Sequence, residues 1–420
     1  MATVDKRRRR LPLSVNDLAH ACGLLGFALL LVIPLAYDAH LVQVMLRIQM
    51  NDFGKFYYTA RYFLEGRDPY AASPATLILA SALEGRQLGN MNPPHFHLLI
   101  LPLSLWGPQV ALVGWTIASV VSLALAVRVL VENLGCSRLT PWRLGFILLF
   151  FVAWVGTGSL IVTGQLSWLL LWPLTASWAA MRQGRWLKAG ILVGLLVSVK
   201  PFLALLLVYF VIRRRLDALV AGLLALALAY LVGLAVFGYA AHMSWLRALG
   251  GVDWSWLVMN GSLLGFFSRL LSPCPGLAPL VEASGAIYAL WLLTSAGGVT
   301  LTLLSVAQQR GDVDRAFALL LVASLLFSPL GWVYYAWFLI PPLLAIGGRA
   351  LLARQRAFLV PAVVASLWPV PLAVVGQPSA LATFTVGSIY FWGFLSLWIA
   401  LLRDSPKPDR DVFSTRVTAG

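Results

Sequence analysis

A chain of 420 residues that is 60% hydrophobic and only 11% charged, with a mean hydropathy of +0.84, cannot hide its apolar surface in a soluble fold. Its formal charge of +15 would suit a nucleic-acid binder in a soluble protein, but the bases sit in clusters between apolar runs, which instead marks one side of a membrane. Three scattered cysteines, Cys22, Cys136 and Cys274, exclude a disulfide framework or a cysteine-based metal site.

A basic N-terminus, residues 1–17, leads into the first apolar run at 18–37, long enough to cross a bilayer at about 1.5 Å of rise per residue. No small-residue cleavage pattern follows it, so a retained helix is expected rather than a removed signal. Further runs at 108–131, 144–163, 165–181, 217–237, 286–306, 316–328, 330–348, 357–375 and 384–402 read as helices, several of them short. The piece at 94–106 adds to the count. The piece at 187–212 breaks at Val199-Lys200-Pro201-Phe202 between two basic flanks, so two half-helices that enter and return are expected, with Lys200 at the outer face.

Lys6–Arg10, Arg128, Arg138, Arg143, Arg182, Arg185, Lys188, Arg213–Arg215, Arg310, Arg315, Arg349, Arg354, Arg356 and the tail after Arg403 carry most of the positive charge. The positive-inside rule assigns these segments to the cytoplasm. Segments 38–92 and 238–285 hold acids and bases in equal numbers and are expected outside. The whole reads as an all-α polytopic membrane protein. One membrane domain spans 18–402, with residues 403–420 as a cytoplasmic tail, both termini cytoplasmic, and the cell inner (plasma) membrane as its location.

The first outer loop is the most informative segment. Phe53, Phe56, Tyr57, Ala60 and Leu64 recur at helical spacing with Lys55, Thr59 and Arg61 between them, which predicts an amphipathic helix on the outer leaflet. Asp52 stands just before this series, where a capping residue would stand. Asp52 is the candidate reacting group; the alternative is that it only caps the helix. A helix N-terminus would in either case favour the ionised carboxylate.

These residues resemble the membrane glycosyltransferases of family 87, which include α-mannosyltransferases using polyprenyl-phosphate mannose. The likeness rests on five motifs in order. They are Asp52-Phe53 with Tyr57-Tyr58, Ala60 and Gly66-Arg67-Asp68-Pro69-Tyr70; Asn92-Pro93-Pro94-His95 with Leu101-Pro102-Leu103; Gly164-Gln165 with Val199-Lys200-Pro201; Asn260-Gly261-Ser262-Leu263-Leu264 with Arg269; and Ser328-Pro329-Leu330-Gly331-Trp332. The chain departs from the family in having Gly261 where Asn-Gln-Ser is common, and Tyr334 and Tyr335 where one or two histidines often follow. The resemblance implies a GT-C-type bundle of about 10–13 membrane helices, some short or re-entrant.

It also implies an inverting hexosyltransferase, with mannose one candidate sugar, moving the sugar from a polyprenyl-phosphate donor to a lipid or glycan acceptor on the outer face. Asp52 is then the general base. A phosphate leaving group needs no acid; nearby positive charge and removal of the acceptor's proton are what help. Lys200 and Arg269 are candidate phosphate contacts, the alternative being snorkelling to lipid headgroups. Tyr57, Asn92, His95, Gln165, Asn260, Trp332, Tyr334 and Tyr335 are expected to line the substrate, and Trp254 or Trp332 to stack on sugar rings.

No metal or other cofactor is expected. Asp312-Val313-Asp314 has a metal-and-nucleotide spacing but lies in a cytoplasmic loop and reads as a solvated turn, and His95 and His97 diverge on a helix. Asn260-Gly261-Ser262 matches a glycosylation acceptor by pattern alone. Trp106, Trp142, Trp186 and Trp256 read as interfacial anchors. The rival functions are a carrier or flippase for lipid-linked saccharides and a non-catalytic envelope-assembly partner. Confinement of most charges to loops favours the enzyme.

Overall fold

A computed structural model of the chain describes residues 31–32, 34–36, 39–40, 52–71, 89–134, 147, 149–308, 311–370 and 378–403. Most of the expected span at 18–37, the basic N-terminus, the tail beyond Arg403, Cys22, Cys136 and Trp142 lie outside these residues.

The described helices are α1 (Asp52–Leu64), α2 (Pro108–Leu134), α3 (Val155–Thr163), α4 (Ser167–Arg182), α5 (Trp186–Val199), α6 (Leu205–Ile212), α7 (Leu216–Gly250), α8 (Leu263–Leu271), α9 (Ile287–Gln308), α10 (Val313–Phe327), α11 (Ile340–Ile346), α12 (Gly348–Leu367), α13 (Ala380–Phe384) and α14 (Ile389–Arg403). Among them, Pro108–Leu134, Leu216–Gly250, Ser284–Gln308 and Ala380–Arg403 are stretches long and apolar enough to cross a membrane. The protein is an all-α polytopic membrane protein.

Contacts at the helix ends sort this bundle into two ends. α4 leaves Gln165 and finishes at Arg182, where Arg182 donates to the Asn133 carbonyl at 3.0 Å and pairs with Asp314 at 3.4 Å. Trp186 opens α5 close by, and fourteen residues carry the chain about 21 Å to Lys200. The return through Pro201–Ala204 and α6 brings the guanidinium of Arg215 to 4.8 Å from the Trp186 ring. The two half-helices expected around Lys200-Pro201 are therefore present, with their basic flanks together. Arg315 closes the same end by donating to the carbonyls of Leu401 and Leu402 at 2.9 and 3.1 Å. At the opposite end meet α1 and the turns at Gly164-Gln165, Lys200-Pro201 and Pro329–Trp332.

Small residues hold α5 in place. α7 runs parallel to it, with Gly190 against Ala218 and Gly194 against Gly222, backbone to backbone, so that a Cβ on either glycine would overlap a carbonyl group. Helices in lipid gain little from excluding water and depend on such close approach for dispersion contact.

Several expected runs have different boundaries. The 217–237 helix continues to Gly250, across a break at Gly238 (φ 75°, ψ 171°), so the expected loop at 238–285 begins as helix. The run at 330–348 is not one helix: the chain is extended at Trp332, forms a 3-10 helix over Val333–Leu339, then enters α11. Pro329 lacks an amide hydrogen, and Gly331 packs its backbone onto the Leu325 carbonyl, so a regular helix cannot start there. Pro341 and Pro342 sit in the first turn of α11, where the missing hydrogens cost nothing. The 144–163 run is interrupted at Trp154, whose backbone is extended (φ −72°, ψ 132°).

The amphipathic helix expected on the lipid surface is present as α1, but its apolar face is buried in the protein. Phe53, Phe56 and Ala60 are at most 2% exposed, with Phe56 5.1 Å from Phe96 and 5.9 Å from Trp115 between ring centres. Aromatic partners at helix-facing distance satisfy this stripe better than a headgroup layer would. Trp186, expected as an interfacial anchor, is 9% exposed, while Trp106 is 54% exposed.

Candidate active site

Asp52 lies in the first turn of α1, where an acid complements the helix dipole. Its side chain is 18% exposed. Gln165 donates to its Oδ2, and Lys55 pairs with Oδ1 at 2.5 Å. The Gln165 contact depends on a close approach of backbone to side chain. Gly164 caps α3 with φ +62°, and a Cβ there would stand 2.8 Å from the Cβ of Phe53. Trp115 fixes the same turn by donating to the Gly164 carbonyl at 2.9 Å.

Lys200 reaches this group from the tip of the α5–α6 hairpin. Its Nζ donates to Asn92 Oδ1 at 2.9 Å and lies 5.3 Å from the centre of the Tyr335 ring. It is within electrostatic reach of both Asp52 and Lys55. Asn92 is in turn held by Asn90, whose Oδ1 accepts from the Asn92 amide and side chain at 3.0 and 3.1 Å. Asn90 donates to Thr59 Oγ1 at 2.8 Å and to His97 Nε2 at 2.7 Å. His97 donates from Nδ1 to the Pro94 carbonyl at 3.3 Å, which assigns its neutral tautomer. Tyr70 completes the cluster, donating to the Asn92 carbonyl at 2.6 Å. Burial, with smaller effects of Tyr230 and Asp68, holds the Tyr70 phenol well above its ordinary range, so it stays a donor.

Tyr334 and Tyr335 come from the 3-10 helix, in which residues three apart eclipse one another. Three rows result. Val333, Ala336 and Leu339 line an apolar cavity of about 240 Å³ with Phe150, Leu359 and Phe394. Trp337 packs 5.1 Å from Trp154, and Tyr334 on its row faces Gln165 and Asp52. Tyr335 stacks at 5.4 Å on Phe338 and meets Phe202 at 5.0 Å, beside Lys200. Trp332 stacks 6.1 Å from Tyr334.

The structure thus brings together Asp52, Lys200, Asn92, Gln165, Tyr334 and Tyr335. Trp332 adjoins this group through Tyr334, and the other expected residues lie elsewhere. Tyr57 is 4% exposed and donates to the Trp106 carbonyl at 2.8 Å. His95 faces α5 and α7, donating from Nε2 to Ser198 Oγ at 3.1 Å and standing 4.7 Å from the Tyr230 ring. Asn260 ties two segments: its amide donates to the carbonyls of Ser255 and Pro329 at 2.8 and 3.1 Å, and its oxygen accepts from Ser262 and Gly331 at 3.1 and 2.8 Å. With 0% exposure it is no glycosylation acceptor in the folded chain. Gly261 beside it faces Phe394, whose ring a Cβ would meet at 2.7 Å, which accounts for a glycine at that position. Trp254 is 7% exposed and offers no open ring face for a sugar.

Arg269 is fully buried, donating to the carbonyls of Leu257 and Asn260 at 3.1 and 3.0 Å and to Ser388 at 3.2 Å. Asp312 and Asp314 do more than occupy a solvated turn. Asp312 caps α10 through the Arg315 amide at 2.9 Å, and Asp314 accepts from Trp178 at 2.9 Å. Among the described residues no cluster of three or more His, Cys, Asp or Glu has metal-binding geometry. Lys55 and Asn90 belong to the site but were not among the expected site residues. The i, i+3 spacing of Lys55 from Asp52 on a helix was the available signal.

No solved structure matches the chain. It is similar to the polyprenol-phosphate-mannose-dependent alpha-(1-2)-phosphatidylinositol pentamannoside mannosyltransferase of Mycobacterium tuberculosis (strain CDC 1551 / Oshkosh), with 28% identity over 253 residues. That match covers 59% of this chain and 56% of the relative, so it spans little more than half the relative's length. The model of glycosyltransferase family 87 matches residues 90–329, which include Asn92, Gln165, Lys200, Asn260 and Arg269 but neither Asp52 nor Tyr334 and Tyr335. With more than half of its length matching that family, the chain belongs to glycosyltransferase family 87.

Proposed function

We propose that the protein transfers a hexose, with mannose the first candidate, from a polyprenyl-phosphate donor to the hydroxyl of a lipid or glycan acceptor, with inversion and with Asp52 as the base. The observation that carries this reading is that Asp52, held by Gln165, and Lys200, held by Asn92 and set over the Tyr335 ring, lie within electrostatic reach at one end of the bundle. In such a step the acceptor oxygen attacks the anomeric carbon, and its proton passes to Asp52. The bond to the phosphate oxygen breaks, and Lys200 stabilises the charge that collects there. Gln165 orients the carboxylate.

The site's position supports an outer-face reaction. It lies at the end opposite Arg182, Arg185 and Arg213–Arg215, and by the positive-inside rule the basic end is cytoplasmic. We read it as a plasma-membrane protein whose α14 ends on the cytoplasmic side, a reading supported by the contact of that end with Arg315 at the basic end. Membership of the family and the polyprenol-phosphate-mannose dependence of the mycobacterial relative support this donor class.

The test is purified full-length protein in nanodiscs, given radiolabelled polyprenyl-phosphate mannose and a membrane lipid extract. Label appearing in a new lipid or glycan product is expected; label that stays on the donor with every extract tried overturns the reading. Lys200→Ala should weaken donor binding about tenfold or more, because a charge-assisted contact to phosphate is worth about 1.5–3 kcal/mol. Unchanged donor affinity would reduce Lys200 to a structural hydrogen bond with Asn92.

Arg269 we assign to support of the 256–260 carbonyls instead of to the phosphate. Arg269→Met should leave those carbonyls unpaired at about 1–3 kcal/mol each and lower the melting temperature. A variant of unchanged melting temperature with weakened donor binding would return Arg269 to the phosphate.

A further inference from the structure

We propose that Lys55 is a second cation for the donor phosphate, held in reserve by Asp52 until the donor arrives. This deepens the reading of Asp52 as the base and rests on it. Lys55 follows Asp52 by three residues, so both side chains leave one face of α1. Its Nζ sits 2.5 Å from Asp52 Oδ1, and the two side chains are 11% and 18% exposed. The pair is reachable yet poorly screened, unlike a surface pair in full solvent.

Such a pair has a cost for catalysis. The ammonium sits on Oδ1, an oxygen on which the acceptor's proton could otherwise land, while Gln165 occupies the other. Drawing Lys55 onto the incoming phosphate removes that hindrance and adds a charge where the leaving group needs one. The lysine stem is flexible, and its ammonium has three donors to redirect, so the transfer needs no backbone movement. Gln165 keeps its hold on the other carboxylate oxygen throughout.

Charge balance names the donor class. With both lysines protonated against the bound phosphate, Lys55, Lys200 and Asp52 together carry one positive charge, and a sugar phosphodiester of a lipid carries one negative charge. During transfer the electron pair of the broken carbon–oxygen bond passes to the phosphate, which becomes a monoester with about two negative charges. The acceptor's proton neutralises Asp52, and the two lysines then face those two charges. The site is neutral before and after the step. A nucleoside diphosphate sugar or a lipid diphosphate sugar brings an additional negative charge that this set leaves unmatched.

Equilibrium binding of a radiolabelled polyprenyl methyl phosphodiester, singly charged like the donor but without a sugar, to the purified full-length protein tests this without any sugar transfer. Lys55→Met should weaken binding about tenfold, and Lys55→Arg should restore it to within about threefold. Asp52→Asn should tighten binding severalfold in the native background but give no gain in Lys55→Met, a coupling that a double-mutant cycle reads directly. Each variant is checked by its melting curve. Affinity of Lys55→Met within twofold of native overturns the proposal, as does a gain from Asp52→Asn that persists undiminished beside Lys55→Met. Phosphatidic acid is the competing arm, and equal retention of it would make this a general headgroup site. Failure of the base reading shows elsewhere, as turnover retained by Asp52→Asn.

Discussion

Replacing Asp52 with Asn should lower sugar transfer by about a hundredfold to ten-thousandfold in a protein that remains folded, the usual contribution of a positioned base. The substitution keeps the shape and a hydrogen-bonding partner for Gln165 but removes the charge that would receive the acceptor's proton. Loss of the pair leaves the Lys55 ammonium, on a side chain only 11% exposed, without its partner and should cost about 1–3 kcal/mol of stability. If Asp52 served the helix terminus alone, the variant would turn over normally and show only a small loss of stability. Initial rates beside melting curves separate the two outcomes. Normal turnover would end the assignment.

Gly194→Ala should have the largest structural effect. Its new methyl would overlap the Gly222 carbonyl, and because both obstacles are backbone, α5 and α7 must separate as bodies. Overpacking of this kind costs about 1–3 kcal/mol, and Lys200 at the end of α5 moves with its helix. The expected result is a lower melting temperature together with weaker donor binding. Gly297→Ala is the control, because a Cβ there meets nothing within 4 Å. Equal stability of the two variants would mean that the α5–α7 contact is looser than its geometry indicates.

Length, charge clusters and apolar runs were enough to read the membrane class and most of the helices. The break at Lys200-Pro201 was legible because a proline beside a charge cannot continue a membrane helix unnoticed. The long partner of that hairpin was less so: Gly190 and Gly194 announce a close neighbour by their spacing, but only folding shows that Ala218 and Gly222 are the neighbour. Hydrophobic periodicity found α1 and could not say whether lipid or protein would cover it, since Phe96 and Trp115 come from other segments.

Asp52, Lys200, Asn92 and Gln165 of the candidate site were named by motif, whereas Asn90 has no local signature: Thr59 and His97 hold it, and it holds Asn92. Arg269 illustrates the opposite case. A cation beside a motif looked available for phosphate, and its hydrogen bonds turn out to hold carbonyls of its own loop.

The stretch from Val333 to Leu339 works as a triangular rod, with hydrocarbon on one edge, tryptophan packing on the second and the Lys200 turn on the third. A rod with three positions per revolution has no tolerance for a change in count. Deleting a single residue there would rotate every edge by a third of a turn, carrying the tyrosines off the carboxylate while Pro341 and Pro342 prevent the next helix from absorbing the slip. Point substitutions along this rod are therefore a milder injury than the loss of its smallest member, Ala336.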